Sequence, residues 1–541
     1  MTTSSSAAAI ERTAGAIART SVKGVDAALI VASLLFGAPS LAYPFGPHQG
    51  LFYYMGREWF LRGALPYRDM VEHKSPGIFV IHGSLVSVFG EHPWPIRLLD
   101  LAFVLGIGAF AASLLEDGAR GGGRRTPGLL GVCCLTASVL YFGVFSFGET
   151  AQCELPMLFF AMASLVAARR IAGVASAAIV AGLCGGAAVI VKAPVFWVLL
   201  LALAAVSARA KGAGGWGRAA VAAGLFLAGA AIVPLLEIGY YAAHRALPDM
   251  VTCILKMSGH YADDAEKVHG FVQVLARTGG VVALFAPVSA VLLPLFALAA
   301  VAARRRGDRA ASSRYAWALA LFLASWAAVY TQHKFYRYHS VVFVGAFALL
   351  AGALLLDGVE RFAPRLRARA PLLFAAGVVA AFCGSPALAG GWLSGASRAL
   401  RLWSGGIDRA QYAAELDAAD GRSSLADAER AAIWVRDHST ADDSVAVRGF
   451  EPQIYAESGR RYRGRFFSTE VITDPRRSQQ GERWLDEERR AVESDPPALV
   501  VTPSASGEIV GADWHASFGY VERARFGSLR VLARDHATSR R

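Results

Sequence analysis

Ionisable side chains crowd into one stretch of the sequence, immediately before an apolar run that begins at Pro76. Carboxylates and imidazoles can take and return protons, and lysine can hold an anion. Charged groups beside hydrocarbon are costly to keep, which makes them candidate functional groups. The alternative is a solvated loop whose charges lie among lipid headgroups. The residues of this stretch are His48, Glu58, Asp69, Glu72, His73 and Lys74.

Three more polar positions lie at the ends of apolar runs. Glu149 and Glu154 precede one run, and Lys192 follows the next. A third group, residues 332–339, holds two cations and two histidines within eight residues, which favours an anion site. Simpler alternatives exist for each position. A carboxylate can mark the water boundary, a lysine can snorkel, and tyrosines with cations can form an aromatic belt.

The elements that position these residues are apolar helices. The chain has 541 residues, of which 55% are hydrophobic and 18% charged, and its mean hydropathy is +0.40. Apolar runs of about 16–25 residues recur from Asp26 to Gly395, near the length that crosses a bilayer. We therefore predict a polytopic α-helical membrane protein. The net charge of +12 comes from arginines in short loops, which is typical of membrane orientation and not of nucleic-acid binding.

We predict about eleven spans and an N-terminus on the cytoplasmic side. The run Pro76–Gly90 has only about 14 residues, so we expect it to lie along the outer face. With that choice the basic clusters at 12–23, 117–127, 169–170, 209–218, 304–314 and 361–369 all face inward. The predicted spans are 25–45, 95–116, 128–147, 154–169, 172–190, 193–208, 219–243, 278–303, 315–332, 339–357 and 371–393.

This topology divides the chain into three parts. Residues 1–24 form a cytoplasmic tail, and residues 25–395 form the transmembrane domain, whose outer loop 46–94 contains interfacial helices. Residues 396–541 form an extracytoplasmic α/β domain. Outer segments also include 244–277, which holds His260, Asp263, Asp264 and His269. The cysteines have no metal-ligand spacing, although a disulfide between Cys153 and Cys253 stays open.

The C-terminal part predicts a small α/β unit without a nucleotide-binding loop. No Walker or G-x-G-x-x-G motif occurs in it. Prolines 496, 497 and 503 bound one short buried-type strand. The predicted elements are a helix at Ala426–His438, a strand at Ser444–Arg448, a helix at Glu482–Glu493, a strand at Ala498–Thr502 and a hairpin at Tyr520–Arg534.

Ordered motifs carry a family resemblance across nearly the whole chain. The first outer loop contains Gly63-x-x-Pro66-Tyr67-Arg68-Asp69 and then Lys74-Ser75-Pro76-Gly77. Three motifs follow along the apolar region: Gly148-Glu149-x-x-x-x-Glu154, Gly182-x-x-x-Gly186 before Lys192, and Gln332-x-Lys334-Phe335-x-x-Tyr338-His339. The tail then contains Trp434–His438, Glu451-Pro452-x-Ile454-Tyr455 and Gly459-Arg460-Arg461. In this order the segments resemble the GT-C class of membrane glycosyltransferases, which includes bacterial aminoarabinose transferases and protein O-mannosyltransferases.

The resemblance implies transfer of a sugar from a polyprenyl-phosphate donor to a cell-envelope acceptor (lipid, polysaccharide or protein) on the extracytoplasmic face of the inner membrane. By analogy the transfer inverts the anomeric centre, and a divalent metal is possible. The candidate catalytic residues are Asp69, His48, Glu154 and Glu72. The candidate substrate-binding residues are Lys74, Arg68, Tyr67, Glu149, Lys192, Gln332, Lys334, Tyr338 and His339.

One position departs from the family pattern. The family usually places an aspartate early in the first outer loop, where this chain has His48. Histidine can act as a general base, or Asp69, Glu72 or Glu154 serves instead, or activity is lost. Two other functions therefore stay open: a transporter or flippase for a lipid-linked anion, and a non-catalytic protein that keeps the fold.

Overall fold

The computed structural model describes residues 24–116, 126–257, 270–332, 334–362, 369–420, 425–468, 481–503 and 518–534. Over these residues the chain is mostly helical, with several apolar helices, and it is a multi-pass membrane protein. Four parts of the predictions lie outside the described residues. They are the predicted cytoplasmic tail up to residue 23, most of the basic loop 117–127, the group His260, Asp263, Asp264 and His269, and His333.

Up to residue 243, the described residues form eight α-helices. These are α1 (Gly24–Ala42), α2 (Pro47–Arg62), α3 (Gly77–Phe89), α4 (Trp94–Leu115), α5 (Leu129–Val144), α6 (Glu154–Arg170), α7 (Val174–Val191) and α8 (Phe196–Ala243). The run predicted to lie along the outer face forms α3, whose 13 residues extend about 20 Å. That length is short of the roughly 30 Å hydrocarbon core.

The helices continue to the end of the apolar region. They are α9 (Leu247–Val251), α10 (Phe271–Leu284), α11 (Val288–Arg305), α12 (Arg309–Tyr330), α13 (Phe343–Phe362), α14 (Ala370–Cys383) and α15 (Pro386–Trp403). A short 3₁₀ turn, Arg337–Val342, leads into α13. Helices α14 and α15 meet at an angle of 98°.

Within the described ranges, six helices are long and apolar enough to cross a membrane, or seven if the bent pair α14–α15 is one span. The segment Ala193–Ala243 has 51 residues and at helical rise would extend about 76 Å, more than twice the bilayer core. It breaks at Gly214 and Gly215, and Gly215 has φ of 80°. This break separates the two spans predicted at 193–208 and 219–243. The number of about eleven spans stays a prediction.

Helix α7 packs backbone against backbone on the second half of α8. A Cβ on Gly182 would lie 2.2 Å from the Phe226 carbonyl oxygen, and one on Gly186 would lie 2.5 Å from the Ala230 carbonyl oxygen. Only glycine permits this approach, as in other small-residue contacts between membrane helices. The close packing holds the end of α7, where Lys192 follows, against its neighbours.

The described residues of the C-terminal part include four strands, β1 (Val445–Val447), β2 (Leu499–Pro503), β3 (Tyr520–Phe526) and β4 (Leu529–Arg534), which form one sheet in the order β1-β2-β4-β3. Strand β1 pairs in parallel with β2, and β4 pairs antiparallel with both β2 and β3. Each element predicted for this part has a counterpart in the structure, within a few residues at its ends. The elements are α16 (Arg409–Asp420), α17 (Leu425–Asp437), β1 (Val445–Val447), α18 (Gln453–Ser458), α19 (Gly481–Ser494), β2 (Leu499–Pro503), β3 (Tyr520–Phe526) and β4 (Leu529–Arg534).

The sheet-containing part packs directly on α2. The buried Arg57 guanidinium donates to the carbonyl oxygens of Tyr455 at 3.1 Å and Arg460 at 2.5 Å. The Tyr54 hydroxyl bonds to the backbone of Tyr462. A Cβ on Gly50 would lie 2.5 Å from the Gln453 Cα. Helix α2 is therefore shared between the membrane part and the tail.

Candidate functional site

Side chains from four separate segments meet around the buried carboxylate of Glu154. Lys192, at the end of α7, forms an ion pair with Glu154, and the His339 Nε2 lies 3.7 Å from the same oxygen. The Lys192 ammonium lies 5.9 Å from the centre of the Tyr338 ring, and the His48 ring is 6.1 Å from that ring. The structure thus brings together five of the residues singled out from the sequence.

A second carboxylate–cation group adjoins this one. Glu72 is buried, with the His73 Nδ1 at 2.9 Å and the Lys74 ammonium at 3.7 Å from its Oε1. Lys74 also lies 5.8 Å from the centre of the Phe52 ring, which stacks beside His48 at 6.4 Å. The site therefore contains two buried acids, two partly exposed lysines and at least two imidazoles.

The electrostatics of the site favour a neutral His48 and an ionised Glu72. Burial, with a further contribution from Lys74, lowers the pKa of His48 to about 3. Burial opposes ionisation of Glu72, but His73 and Lys74 outweigh it and hold the pKa of that carboxyl well below its usual range. Among the described residues, the buried Nδ1 of His48 has no hydrogen-bond partner. An uncharged imidazole with an open nitrogen can accept a proton.

The loop between α2 and α3 folds on itself and so places Lys74. It begins at Gly63, whose φ of 70° ends α2, and it contains Tyr67 at φ 72°. The Tyr67 hydroxyl donates to the Lys74 carbonyl oxygen at 2.8 Å, and the Lys74 amide donates to Glu72 at 3.3 Å. Tyr67 is thus a buried support of the loop, although the sequence reading gave it a substrate-binding role.

Asp69 and Arg68 lie on the outside of that loop. The Asp69 carboxylate accepts from the Leu65 amide at 2.7 Å and from the Arg68 guanidinium at 2.9 Å. The hydrogen bond from Arg68 and that from the Leu65 amide lower the pKa of Asp69, although burial raises it. These contacts engage Asp69 locally, whereas the sequence reading placed it among the catalytic groups.

The remaining predicted residues lie on the segments that lead to Glu154 and to Tyr338. Glu149 accepts from the Ser146 amide at 3.0 Å and lies 3.4 Å from Arg337. Gln332 donates at 2.9 Å to the Ala328 carbonyl oxygen of the preceding helix. Lys334 follows on the same loop, between Gln332 and the turn that carries Tyr338.

A buried polar clamp, which sequence reasoning missed, holds the loop before Glu154. Arg97 donates to the Thr150 hydroxyl at 2.9 Å, and Asp100 accepts from the Ala151 amide at 2.7 Å and from the Tyr141 hydroxyl at 2.9 Å. Ala151 has φ of 54°, a conformation that non-glycine residues avoid. The clamp maintains this strained turn. Its signal in the sequence was an Arg and an Asp three residues apart inside an apolar run.

The C-terminal part of the chain contributes one side chain to the surroundings of His48. Phe450, which follows β1, packs edge-on against the His48 ring with centroids 5.0 Å apart. This contact was also missed, although the predicted Glu451-Pro452 turn lies immediately after it. Phe450 excludes water from one side of the imidazole, which agrees with the lowered pKa of His48.

The arrangement can bind an anion and move a proton. Two lysines from different segments, one in the loop before α3 and one at the end of α7, supply positive charge in a partly desolvated site, where electrostatic attraction is stronger than in water. Glu154 and His48 are proton acceptors within the same group. Over the described residues there is no set of three His, Cys, Asp or Glu side chains arranged to hold a metal ion.

No protein-family model matches the chain, and no curated protein matches it at a significant level. Among solved structures the chain is similar to ArnT from Cupriavidus metallidurans in the apo state, with 16% identity, a TM-score of 0.58 and coverage of 95% of this chain and 98% of that chain. ArnT from the same organism bound to undecaprenyl phosphate matches with 16% identity and a TM-score of 0.52, covering 94% and 98%. The likeness at this identity is one of fold, and it confirms the GT-C fold expected from the motifs.

Proposed function

We propose that this chain is an integral membrane glycosyltransferase that moves a sugar from a polyprenyl-phosphate donor to a cell-envelope acceptor on the extracytoplasmic face. The observation that carries the proposal is the meeting of Lys74 and Lys192 with Glu154 and His48 in a protein that shares the fold of ArnT. The structure of ArnT with undecaprenyl phosphate supports the class of donor. A water-insoluble phosphate donor needs cations at a lipid-bordered pocket, and this site has them.

In the proposed mechanism, Lys74 and Lys192 hold the phosphate. The acceptor hydroxyl attacks the anomeric carbon, and the bond between that carbon and the phosphate oxygen breaks. The phosphate leaves with the bonding electrons and gains negative charge. Preorganised cations stabilise that charge more in the transition state than in the bound donor, which is the condition for catalysis.

We propose His48 as the group that takes the proton from the acceptor. Its imidazole is neutral, and its Nδ1 has no partner in the described part of the chain, whereas Glu154 is paired with Lys192 and Glu72 with His73. With a pKa of about 3, the His48 imidazole is a weak base before a substrate binds. The negative charge that develops on the phosphate raises the proton affinity of a nearby imidazole, so base strength increases as the reaction proceeds. Glu154 is the second candidate for this role.

The proposed placement follows the topology derived from the sequence. Residues 25–395 cross the inner membrane about eleven times, with the N-terminus in the cytoplasm. Residues 396–541 form an extracytoplasmic domain, and Phe450 supports this arrangement because it packs on the same site as the outer loop. Cysteine labelling from outside should therefore reach position 480 and fail at positions 120–126.

A divalent metal stays a possible cofactor, with Glu72 and Glu154 as the carboxylates that would face it. Each already has a lysine beside it, which does not fit a resident metal well. The requirement is checked by turnover of reconstituted enzyme before and after chelation with EDTA. Unchanged turnover excludes a readily removed metal.

The proposal is tested by reconstitution with a short polyprenyl-phosphate sugar and an envelope extract as acceptor. We expect His48→Gln and Lys74→Gln to lower turnover by about 100-fold or more while the protein still folds. Lys211→Gln is the matched control, because Lys211 packs on Trp216 next to the break in α8, outside the site. Equal turnover in all three variants would refute the site.

One observation favours a second candidate function, a non-catalytic protein that binds the lipid. The chain has His48 where the resembling family usually has an aspartate, and its imidazole is a weak base before substrate binds. Tight binding of undecaprenyl phosphate, abolished in Lys74→Gln, without turnover of any donor would select this function. Release of sugar-lipid across sealed vesicles without hydrolysis would instead indicate a flippase.

A further inference from the structure

Arg465, in the segment that follows α18, reaches from the C-terminal part of the chain to the loop that carries Lys74. Its Nη2 donates to the Tyr67 carbonyl oxygen at 2.9 Å. Its own carbonyl oxygen accepts from the Val71 amide at 3.1 Å. The side chain and the backbone of one residue thus hold the loop between α2 and α3 at two points, four residues apart.

Two carboxylates from different elements fix the same guanidinium. Nη2 also donates to the Asp249 Oδ1, on α9, at 2.8 Å, and Nη1 lies 3.3 Å from the Glu487 Oε1, on α19. The Arg465 side chain is 20% exposed, whereas both carboxylates are partly exposed to a greater degree. A planar guanidinium bonds to several acceptors at fixed angles, which an ammonium cannot do. Arg465 therefore joins α9, α19 and the loop in one defined arrangement.

Tyr67 connects this arrangement to Lys74. Its side chain is fully buried, and its hydroxyl donates to the Lys74 carbonyl oxygen at 2.8 Å. Its φ of 72° is a conformation that non-glycine residues avoid, so it depends on the contacts around it. Arg465 bonds to the backbone of Tyr67, and the side chain of Tyr67 bonds to the backbone of Lys74. A displacement of Tyr67 would therefore also displace Lys74.

The two lysines proposed to hold the phosphate are supported in different ways. Lys192 follows α7 directly, and the close packing of that helix on α8 holds it. Lys74 lies in a loop, so its position depends on the contacts of that loop. Attraction between a cation and a phosphate falls with distance, and a displacement of about 1 Å can lower a rate about 100-fold.

We infer that Arg465 is a positioning residue for the donor: it acts through Tyr67 to hold Lys74 where that lysine meets the phosphate. The inference rests on the proposed function, because it takes Lys74 as a phosphate-binding group. Its consequence is that the donor binds tightly only while the C-terminal part is docked on the membrane part. The C-terminal part thus contributes to donor binding from outside the pocket.

The test compares Arg465→Gln with Arg463→Gln in the purified, full-length protein. Arg463 is the matched control, because its contacts with Asp495 and with the Asp442 carbonyl oxygen stay within the C-terminal part. We expect Arg465→Gln to raise the Kd for undecaprenyl phosphate and the donor KM at least about tenfold, with the acceptor KM within about twofold of wild type. Arg463→Gln should change each value by less than about twofold. A fall in kcat with an unchanged donor KM would show a merely structural role and overturn the inference.

Hydrogen–deuterium exchange of residues 64–76 tests the first step without donor or turnover. We expect faster exchange there in Arg465→Gln and wild-type exchange in Arg463→Gln. Unchanged exchange in Arg465→Gln would overturn the inference. If Arg465→Gln leaves the binding of undecaprenyl phosphate unchanged while Lys74→Gln weakens it, the inference fails and the proposed function stands. If Lys74→Gln leaves that binding unchanged, both fail.

Tyr67→Phe tests the second step and covers the case in which Arg465→Gln fails to fold. It removes only the hydroxyl that bonds to Lys74, so it should also raise the donor KM. Because both residues act along one path, the double variant should have less than the product of the two single effects. An unchanged donor KM in Tyr67→Phe, or fully multiplicative effects, would overturn the inference.

Discussion

The two ends of α6 carry different sets of charged groups. At the Glu154 end, acids, lysines and imidazoles are interleaved and mostly buried. At the Arg169 end, the lining of a cavity of about 170 Å³ holds two arginines and a serine but no carboxylate and no histidine. The first end therefore has groups that can take a proton beside its cations, whereas the lining at the second end does not.

The largest effect is expected from the replacement of Lys192 by alanine. Glu154 is 1% exposed, so Lys192→Ala would leave a buried, unpaired carboxylate. Breaking a buried pair typically costs about 3–5 kcal/mol of unfolding free energy. We expect a loss of that size in chemical denaturation, together with a loss of turnover of about 100-fold or more.

A double variant separates the two effects of Lys192. Glu154→Gln with Lys192→Met removes both charges and should regain most of the stability, because no unpaired charge is buried. Turnover should stay low, since the cation that faces the phosphate is still missing. Recovery of turnover together with stability would show that Lys192 serves only the fold.

The clamp behind the site is expected to give the next largest effect. Asp100→Asn weakens the bonds that hold Ala151 at φ 54° and leaves the buried Arg97 without its carboxylate. We expect the unfolding free energy to fall by about 2–3 kcal/mol. We also expect kcat to fall about tenfold, with KM nearly unchanged.

The matched control for the clamp is Tyr141→Phe. It removes one hydroxyl that donates to Asp100 at 2.9 Å and accepts from the Ala151 amide at 3.0 Å. The Asp100 carboxylate still accepts from that amide at 2.7 Å, so we expect a cost of only about 1 kcal/mol. If kcat fell equally in both variants while stability differed, the hydroxyl rather than the carboxylate would position the loop before Glu154.

The lowered pKa of His48 predicts a dependence of stability on pH. Its pKa is about 3 in the folded chain and near 6.5 when unfolded, so between these values the unfolded state binds more protons. Stability therefore rises with pH across this window, is complete above about pH 6.5, and is lost as the pH falls toward 3. We expect thermal unfolding of His48→Gln to depend less on pH between about 4.5 and 6.5, by about 1–2 kcal/mol.

His82 on α3 is the control for that measurement. Burial, with a contribution from Arg97, also lowers its pKa to about 3. His82→Gln should flatten the same part of the stability profile but leave the pH dependence of turnover unchanged. A turnover profile that is unaffected by His48→Gln would contradict the proposed role of His48 as base.

The smallest effect is expected at Asp69. Its ion pair with Arg68 is partly exposed, with side-chain exposures of 37% and 45%. Such pairs contribute about 0–1 kcal/mol. We expect Asp69→Asn to change the unfolding free energy by less than about 1 kcal/mol and turnover by less than about fivefold. A fall of 100-fold would instead identify Asp69 as the base.

Part of this site could be predicted from the sequence because its charges lie at the ends of apolar runs. Glu154, Lys192 and His339 are visible there without any knowledge of the fold, and their order along the chain carried the resemblance. The sequence does not show that Lys192 faces Glu154, because that contact depends on how α6 and α7 pack. The local pairing of Asp69 with Arg68 is likewise not evident from the sequence, because it depends on how the loop folds.

Other features depended on tertiary contacts that have no local signature. Phe450 is far from His48 in the chain, and only the packing of the tail on α2 joins them. The clamp of Arg97 and Asp100 lies within the predicted span 95–116, where the sequence indicates only a membrane helix. In the tail, by contrast, strands and helices alternate with clear turn residues, and the predicted elements agree with the structure closely.

The contact between Gly50 and Gln453 has a consequence for biosynthesis. A ribosome completes α2 long before it completes the tail, yet Phe450 closes one side of the pocket that α2 begins. A chain whose helices are inserted but whose last segment is unfinished therefore has an open, wet pocket. The proposed sugar transfer would therefore begin only when the final part has been made and has docked.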